Sequence, residues 1–395
     1  MHKLIILPGV CDSLGGTVVT LSLLIKGFEQ CGHREALRVL VRAGSIMEKY
    51  LEQAGQSAYL ELIPAKSKAE FLKRAVRWVQ QQPKDYPLLL DNCVERALLP
   101  TLVLAAPGLR FSGRPVYHFC HDLSLSYNYM GYLLRKIAFS CLSPKAMCNS
   151  HFTAGYVRRL MSDIRGILYQ PVDTKRFYHR VSSTPPTPLQ PILNSGAKLI
   201  LTPSRISSPT RMVNDKNLRA LISVLAHLKA NGHYYHSLVI GQDTSPDQTN
   251  TRQLLEAAKN AGVADLFTIL PPTFAIEDYY QHASVVVTLA PREPFGRTVV
   301  EAIACGVPVI GSRTGGIGEI LSHFAPEWTV DPADPKATAE AIVRVSTDPN
   351  TSKLLLEGRN WVQSQCSIVG YAQKMMEITG IGLPAITSQQ SVMTG

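Results

Sequence analysis

No apolar run in this 395-residue sequence is long enough to cross a bilayer. The longest candidate, Leu98 to Leu109, is interrupted by Pro100 and Pro107, whereas a spanning helix needs about 18 or more apolar residues. The N-terminal residues are too few for a signal peptide and lead directly into a strand pattern. We therefore expect a cytoplasmic protein, with peripheral contact at the inner membrane face as an open alternative.

Patterns typical of several other protein classes are missing as well. The 8 cysteines include no C-x-x-C pair, and none lies with histidines at zinc-binding spacing. This predicts free thiols in a reducing compartment, with no metal site and no bound cofactor. No G-x-G-x-x-G occurs, which disfavours a nicotinamide-dependent dehydrogenase.

In the first half of the chain, basic residues outnumber acidic residues. Residues 1–190 hold 24 Lys and Arg against 13 Asp and Glu, whereas residues 191–395 hold 16 against 17. A one-sided basic surface favours an anionic partner, such as a phospholipid surface, a phosphorylated lipid or an acidic glycan. A merely solvated basic surface is an equal alternative, and we expect no nucleic-acid partner.

Two similar apolar runs open the two halves of the chain. Lys3 to Leu7 is followed by Pro-Gly, and Lys198 to Thr202 by Pro-Ser, as expected of a buried first strand in a parallel sheet. The proline-rich residues 182–191 predict a linker that holds neither helix nor central strand. The predicted organisation is an N-terminal domain over 1–180, a linker over 181–196, a C-terminal domain over 197–360, a helix over 361–380 and a polar, disordered tail over 381–395.

Strand and helix patterns alternate after each opening strand, which predicts an α/β fold built from βαβ units. Helices are expected over Thr17–Gln30, Ser67–Gln82, Asn217–Asn231, Thr251–Ala261 and from Thr298, and strands over Ala36–Val41, Pro87–Leu90, Pro115–His121, Pro144–Asn149, Tyr235–Ile240, Phe267–Leu270, Ser284–Ala290 and Val307–Gly311. Two such halves imply two Rossmann-like, doubly wound domains that face each other across a cleft. Because ligands bind at the carboxyl ends of such strands, the cleft is the expected active site.

Glu293 to Ala302 is the strongest chemical signal in the sequence. Glu293 lies in the loop after a predicted strand, and Glu301 lies in the first turns of the following helix. Unpaired backbone N–H groups at a helix start can bind phosphate or sugar oxygens, and Gly296 permits a close approach. On spacing alone, an acidic first turn that suits the helix dipole explains the segment equally well.

Three consecutive segments resemble the donor-site signature of glycosyltransferase family 4. They are the E-x7-E motif from Glu293 to Glu301, the A-C-G-x-P-V-I run from Ala304 to Ile310 and the G-G-x-x-E-I turn from Gly315 to Ile320. The resemblance covers nearly all of residues 1–380. It implies a GT-B fold whose C-terminal helix crosses back to the first domain. It also implies retaining transfer from a UDP- or GDP-type sugar to a lipid-linked, saccharide or other hydroxyl acceptor.

The same resemblance implies the residues that bind the donor. Arg205 and Lys216 resemble the family's cation pair, although Ser204 stands where the family usually has Gly. Two cations suit a diphosphate leaving group without a metal, and the chain has no D-x-D dyad. Together with the helix start at Gly296–Thr298 they would hold the pyrophosphate. The full donor-binding set is Gly15, Gly16, Arg205, Lys216, Phe295, Gly296, Arg297, Thr298 and Glu301.

The resemblance implies His121 and Glu293 as catalytic residues. His121-Asp122, at the end of a predicted strand, resembles the family's histidine that contacts the donor sugar near its transferred carbon. Asp122 would lie on the acceptor side. Glu293 would hold the donor sugar, and Glu301 the ribose.

Further family landmarks lie in the first half. Gly15-Gly16 resembles the glycine loop, where the backbone can approach a phosphate or an acceptor; a plain strand-to-helix turn is the alternative. Ser150 and Val172 to Phe177 resemble two more landmarks, and Gln170-Pro171 precedes the second where the family usually has Asn-Gly.

The predicted helix Ser67–Gln82 is basic and amphipathic. Lys73, Arg74 and Arg77 could bind an anionic membrane. The alternative, which we favour, is a helix that packs its apolar face on the sheet and leaves these charges in water.

Two other functions remain open on the same fold. One is a non-catalytic nucleotide-sugar-binding protein, and the other is a sugar-nucleotide epimerase that needs no acceptor. The sequence itself names neither the base, the sugar nor the acceptor.

Overall fold

The computed structural model describes residues 2–12, 15–126, 128–181, 183–207 and 216–382. The chain divides into two compact units. The first comprises Met1–His118, Ile137–Lys145 and Ala372–Gly395, and the second comprises Phe119–Lys136 and Ala146–Tyr371. Residues 383–395 of the predicted tail lie outside the described residues.

The first sheet has seven strands within the described residues. They are β1 Leu4–Pro8, β2 Leu37–Arg42, β3 Leu60–Ile63, β4 Leu88–Asp91, β5 Val116–Cys120, β6 Lys145–Cys148 and β7 Ile164–Ile167. Their order is β3-β2-β1-β4-β5-β6-β7. The helices between them are α1 Gly16–Gln30, α2 Ile46–Gln53, α3 Lys68–Gln81, α4 Leu99–Arg110, α5 Tyr129–Leu142 and α6 His151–Val157.

The second sheet has six strands over the same described part of the chain. They are β8 Lys198–Pro203, β9 Tyr235–Ile240, β10 Phe267–Leu270, β11 Val285–Thr288, β12 Val309–Ser312 and β13 Thr329–Val330. Their order is β10-β9-β8-β11-β12-β13. The accompanying helices are α7 Gln190–Asn194, α8 Leu218–Ala230, α9 Thr249–Asn260, α10 Ile276–Tyr280, α11 Arg297–Ala304, α12 Gly315–Leu321, α13 Pro335–Val345, α14 Thr351–Gln365 and α15 Ile368–Thr379.

Both sheets are doubly wound, because the strand order reverses beside the opening strand of each. β1 pairs in parallel with β2 and β4, and β8 pairs in parallel with β9 and β11. The central strands are buried and apolar, as the run Leu4–Leu7 and the run Val285–Val287 show, which is typical of a parallel sheet covered on both faces. The predicted α/β class with two Rossmann-like sheets is confirmed.

The reversal in the second sheet positions the candidate site. The loops that follow β8 and β11 leave neighbouring strands in opposite directions, and such a switch point leaves a crevice at the carboxyl ends of the strands. Arg205 and Lys216 follow β8, and Glu293 follows β11. The fold therefore gathers at one sheet edge residues that lie far apart in sequence.

The prediction that the proline-rich residues 182–191 hold no helix is wrong. A 3₁₀ turn spans Thr187–Leu189, and α7 begins at Gln190. Pro188 and Pro191 are the second residues of these two elements, within the first turn, where a missing N–H has no helical partner to lose. Burial of Leu189 and Ile192 anchors the segment.

The prediction of one continuous helix over 361–380 is also wrong. α14 ends at Gln365 and α15 begins at Ile368. The side chain of Ser367 accepts a hydrogen bond from the N–H of Gly370 at 3.1 Å, so it acts as an N-cap that starts a new helix. The carbonyl of Cys366 is used outside the helix, where it accepts from the N–H of Val172 at 2.9 Å.

Candidate functional site

The loop from β11 to α11 carries several of the predicted donor residues. It enters α11 through Gly296, whose φ of +107° lies in the left-handed region that favours glycine. A β-carbon at Gly296 would also lie 3.1 Å from Ile317 Cγ1. Glycine therefore lets the chain turn directly into the helix, so the N–H groups of the first helical turn lie at the end of this loop.

Gly315 and Gly316, at the start of α12, pack against this loop. The N–H of Gly316 donates to the carbonyl of Glu293 at 2.7 Å. A β-carbon at Gly316 would lie 2.4 Å from the carbonyl oxygen of Phe295, and one at Gly315 would lie 2.9 Å from that of Glu293. The glycine pair of the G-G-x-x-E-I turn thus permits a close contact that fixes the position of Glu293.

Lys216 and Glu293 form an ion pair. Their Nζ and Oε2 atoms lie 2.5 Å apart, and each side chain keeps 22% of its exposure. Lys216 lies just before α8, where Asn217 donates to the carbonyl of Pro332 at 2.7 Å. The structure therefore brings together two predicted site residues, a donor-only cation that can bind phosphate oxygens and a carboxylate that can accept from sugar hydroxyls.

Arg205 is exposed and follows β8. Its segment is held by the neighbouring loop, because the N–H of Ile206 donates to the carbonyl of Gln242 at 2.9 Å. Gly241 permits this contact, since a β-carbon there would lie 1.9 Å from the carbonyl oxygen of Ser204. The predicted contact of Arg205 with pyrophosphate stays a prediction.

Glu301 is buried on the inner side of α11, with 8% of its surface exposed. It accepts a hydrogen bond from the hydroxyl of Tyr280 at 3.2 Å. Burial raises the pKa of the Glu301 carboxyl, against the opposing effects of the Arg297 charge and the Tyr280 hydrogen bond. A carboxylate with so little exposure suits one specific hydroxyl-bearing ligand better than a solvated surface role, and its ribose contact stays a prediction.

Replacing Glu301 with Gln should remove a pH dependence of stability. The pKa of Glu301 is raised in the folded state from its ordinary value of 4.5. Above pH 4.5 the folded protein therefore keeps a proton on Glu301 that the unfolded chain has lost. The free energy of unfolding therefore falls as pH rises from there through the folded pKa. Melting temperatures at several pH values should show the wild type losing stability relative to Glu301→Gln, while exposed Glu256→Gln follows the wild type. Parallel curves of melting temperature against pH for Glu301→Gln and wild type would contradict the raised pKa of Glu301.

Phe295 and Thr298 occupy different environments. Phe295 is buried and stacks on Tyr169, with ring centroids 6.0 Å apart. Thr298 is half-buried in the first turn of α11. Any donor contact of Phe295 must therefore use its backbone, because its side chain belongs to the core.

His121 directly follows β5 and is connected to the start of α11. Its Nδ1 lies 3.1 Å from the Nε2 of Gln170, and Arg297 donates to the Oε1 of Gln170 at 3.2 Å. The carbonyl of His121 accepts from Asn149 Nδ2 at 3.0 Å. The structure thus brings the predicted catalytic histidine and the predicted donor residue Arg297 to the same side chain.

Asp122 closes the turn after β5. Its Oδ1 accepts from the N–H of Ser124 at 2.7 Å, and Ser124 has a φ of +50°. This local role explains an aspartate at this position by itself. The acceptor-side role of Asp122 stays a prediction.

Glu319 of the G-G-x-x-E-I turn binds the start of α6. Its carboxylate accepts from the N–H groups of His151 and Phe152, both at 2.8 Å, and from the hydroxyl of Tyr169 at 3.0 Å. It therefore neutralises the start of α6, where helix N–H groups favour an anion. The signal was available, because the G-G-x-x-E-I turn places this carboxylate beside two glycines.

Ser150 joins the start of α6 to the donor loop. Its hydroxyl donates to the carbonyl of Pro294 at 2.5 Å, and the hydroxyl of Thr153 donates to the same carbonyl at 3.1 Å. Ser150 also caps α6 by accepting from the N–H of Thr153. This family landmark thus supports the residue between Glu293 and Phe295.

The other predicted residues lie in the first unit. Gly15 caps α1 with an extended φ of −169°, and no heavy atom lies within 4 Å of a β-carbon built there. Gly16 is the first residue of α1. Because Gly15 is required neither by its backbone conformation nor by the described neighbours, its predicted role in ligand approach stays open.

Lys73, Arg74 and Arg77 are exposed on α3. The opposite face of this helix buries Phe71, Leu72, Ala75, Val76 and Val79. Arg74 pairs with Glu70 at 2.6 Å. The helix therefore packs its apolar face in the protein, as the favoured interpretation predicts, and it leaves Lys73 and Arg77 exposed at the surface.

Neither a metal cluster nor a spanning helix is found among the described residues. No group of three or more His, Cys, Asp or Glu side chains there could hold a metal ion. No helix in that part of the chain is long and apolar enough to cross a membrane.

Comparisons with known proteins concern the second half of the chain in sequence and nearly the whole chain in fold. Residues 197–357 match the family model of glycosyl transferases group 1. D-inositol 3-phosphate glycosyltransferase of Thermobifida fusca is 32% identical over 113 residues, which are 28% of this chain and 26% of the relative. The similarity thus spans about a quarter of the length of this curated relative.

Two solved structures match nearly the whole chain. HepE of Anabaena in complex with UDP superposes with a TM-score of 0.75 at 18% identity, covering 96% of this chain and 100% of that one. A glycosyltransferase of Rickettsia africae gives a TM-score of 0.73 at 18% identity, covering 96% of this chain and 98% of that one. At such identities the likeness establishes the fold.

The two doubly wound parallel sheets, together with the match to these structures over nearly the whole chain, show a GT-B fold. Within that fold, residues 197–357 are similar to glycosyl transferases group 1. The resemblance to glycosyltransferase family 4 is thereby confirmed.

Proposed function

We propose that this chain is a retaining glycosyltransferase that moves a sugar from a nucleotide-diphosphate sugar to a hydroxyl acceptor without a metal. The observation that carries the proposal is the ion pair between Lys216 and Glu293. Glu293 lies three residues before Gly296, where α11 starts. A phosphate-binding cation and a sugar-binding carboxylate are thereby placed beside the first turn of α11, where a helix start favours an anion. A UDP-type donor is supported by the match to HepE, which was solved with UDP and with UDP-glucose.

In this proposal, the protein acts mainly by positioning and by stabilising charge. Lys216, Arg205 and the first N–H groups of α11 bind the diphosphate, and Lys216 then exchanges its Glu293 contact for a phosphate oxygen. Glu293 is released to accept from a donor-sugar hydroxyl, and Glu301 accepts from the ribose. Cations and helix N–H groups can neutralise the leaving group, so no metal or other cofactor is invoked.

The proposed transfer is balanced in atoms and charge. The bond from the anomeric carbon to the diphosphate oxygen breaks as the bond to the acceptor oxygen forms on the same face of the sugar. The departing diphosphate oxygen takes the acceptor proton. His121 donates a hydrogen bond to the donor sugar near the reacting carbon.

A thermal-shift screen of nucleotide sugars in the presence of a chelator tests this function. A ligand bound only by the native state raises the melting temperature, so at least one UDP- or GDP-sugar should do so. Product analysis with hydroxyl acceptors then distinguishes transfer from the alternatives. Epimerised donor without an acceptor would indicate an epimerase, and binding with no turnover against any acceptor would indicate a non-catalytic binding protein.

We further propose that the acceptor is met at an anionic lipid surface, through exposed residues of α3 and α4 in the first unit. Leu104 of α4 and Phe111, the residue that caps the end of α4, are 83% and 84% exposed, and they lie seven positions apart, which is about two helical turns. α3 packs beside α4, since Gly108 lies directly against Gln80. Two neighbouring helices that present exposed apolar side chains on one and exposed cations on the other are the combination that binds a membrane interface. A cytoplasmic location accords with this proposal.

The double variant Lys73→Glu/Arg77→Glu should weaken binding to vesicles that contain anionic lipid by at least about tenfold, because each surface cation contributes about 1 kcal/mol there. Co-sedimentation measures the effect. Lys336→Glu/Lys353→Glu, on exposed positions of the second unit, makes the same change in net charge and should bind like the wild type. Equal binding by both double variants, or no preference for anionic lipid, would end the membrane proposal.

A further inference from the structure

We propose that Gln170 is a positioning residue that fixes the tautomer of His121, so that the ring hydrogen lies on Nε2. This inference rests on the proposed function only for its catalytic consequence. Its structural basis is the chain of contacts from Arg297 to Gln170 Oε1 at 3.2 Å and from Gln170 Nε2 to His121 Nδ1 at 3.1 Å.

The orientation of the Gln170 amide follows from the chemistry of Arg297. A guanidinium group has only donors, so the amide atom that faces Arg297 must be the oxygen. The NH₂ group is then turned toward His121, and it can only donate. His121 Nδ1 must therefore accept, which in a neutral imidazole leaves the hydrogen on Nε2.

The surroundings hold this arrangement in place. Gln170 is buried, with 6% of its surface exposed. Arg297 also donates to the carbonyl of Pro171 at 3.2 Å, so the guanidinium is bound to two consecutive residues. His121 is anchored through its own carbonyl by Asn149 and packs on Phe119, with ring centroids 4.5 Å apart. Neither the amide nor the imidazole can turn over without losing a buried hydrogen bond.

The catalytic consequence concerns the group that His121 offers to a ligand. With the hydrogen on Nε2, His121 donates a hydrogen bond to an oxygen of the donor sugar. With the hydrogen on Nδ1, it would present a lone pair and could only accept. Gln170 thus acts through His121. Gln170 belongs to the Gln-Pro pair that stands where the family usually has Asn-Gly.

Gln170→Glu is the sharpest test, because it preserves the shape of the side chain and reverses its hydrogen bonding. A carboxylate accepts from Arg297 as the amide does, but it also accepts from His121 and so draws the ring hydrogen to Nδ1. Imidazole ¹⁵N NMR of the full chain measures the tautomer directly, and the His121 signals are assigned by their loss in His121→Asn. The wild type should show the hydrogen on Nε2, and Gln170→Glu should show it on Nδ1.

Turnover supplies the second readout. Gln170→Glu should lower kcat by about tenfold or more, since one hydrogen bond to the reacting sugar is lost, while Gln170→Met should leave a mixed tautomer and an intermediate rate. A variant that only disturbed packing would lower the melting temperature without moving the ring hydrogen.

Two results would overturn the inference. Hydrogen on Nδ1 in the wild-type spectrum would do so without any variant, and therefore independently of whether the variants fold. Wild-type kcat in a folded Gln170→Glu whose ring hydrogen has moved would remove the positioning role. If no nucleotide sugar binds at all, the proposed function fails, but the wild-type tautomer still decides the hydrogen-bond arrangement of Gln170.

Discussion

Lys216→Ala is expected to lower kcat by about two to three orders of magnitude, the typical loss when a preorganised group that stabilises transition-state charge is removed. The reason is that Lys216 is the cation held at the donor loop by Glu293, and its charge would stabilise the departing diphosphate. Steady-state transfer with a saturating UDP- or GDP-sugar measures the effect. Glu293→Ala should cause a loss of similar size, because the same pair then lacks its sugar-binding member.

Lys229→Ala provides the matched control for this prediction. Lys229 lies in the last turn of α8, at the opposite end of the helix from Lys216, and it donates to the carbonyl of Gly262 at 2.7 Å. Its removal deletes the same charge from the opposite end of α8 without touching the donor loop. Full activity in Lys216→Ala, or an equal loss in Lys229→Ala, would remove the donor-site assignment.

Gly316→Ala is expected to destabilise the second unit by about 1 to 3 kcal/mol, the usual cost of forcing an extra carbon into a packed contact. The added β-carbon would lie 2.4 Å from the carbonyl oxygen of Phe295 and 2.5 Å from its Cα. Since these are backbone atoms, the donor loop must shift. Nucleotide affinity should therefore fall together with the free energy of unfolding. Melting temperature and nucleotide affinity, measured on the same preparation, check both effects.

The control for this prediction is Gly155→Ala. Gly155 lies within α6, and no heavy atom is found within 4 Å of a β-carbon built there. Alanine is a better helix former than glycine, so this variant should melt at the wild-type temperature or above. A Gly316→Ala protein with wild-type stability and nucleotide affinity would show that the two loops are not held together as described.

The sequence was sufficient for the parts of the site that depend on local pattern. The run of buried strands predicted the doubly wound sheets, and the E-x7-E segment predicted a loop that leads into a helix at Gly296. It also placed Glu293 and Lys216 in one site, although only the resemblance to a known family connected residues so far apart. On spacing alone, an acidic first turn that suits the helix dipole explains Glu293 and Glu301 as well as a ligand-binding site does.

The remaining features depend on contacts that leave no periodic signal. Gln170 meets His121 and Arg297, and Glu319 meets the start of α6, through side-chain pairs distant in sequence. The short helix at Gln190 lies in a proline-rich segment that predicts no helix, yet proline is well tolerated in a first turn. The break before α15 was missed because a single serine cap interrupts an otherwise helical pattern.

A crystal structure of the chain with UDP, grown without divalent metal, tests the central claim most directly. The account predicts the diphosphate at the start of α11, accepting from backbone N–H groups of Arg297 or Thr298 and from the Nζ of Lys216, with the ribose hydroxyls at Glu301. A nucleotide bound away from this loop, with the Lys216–Glu293 pair undisturbed, would contradict it.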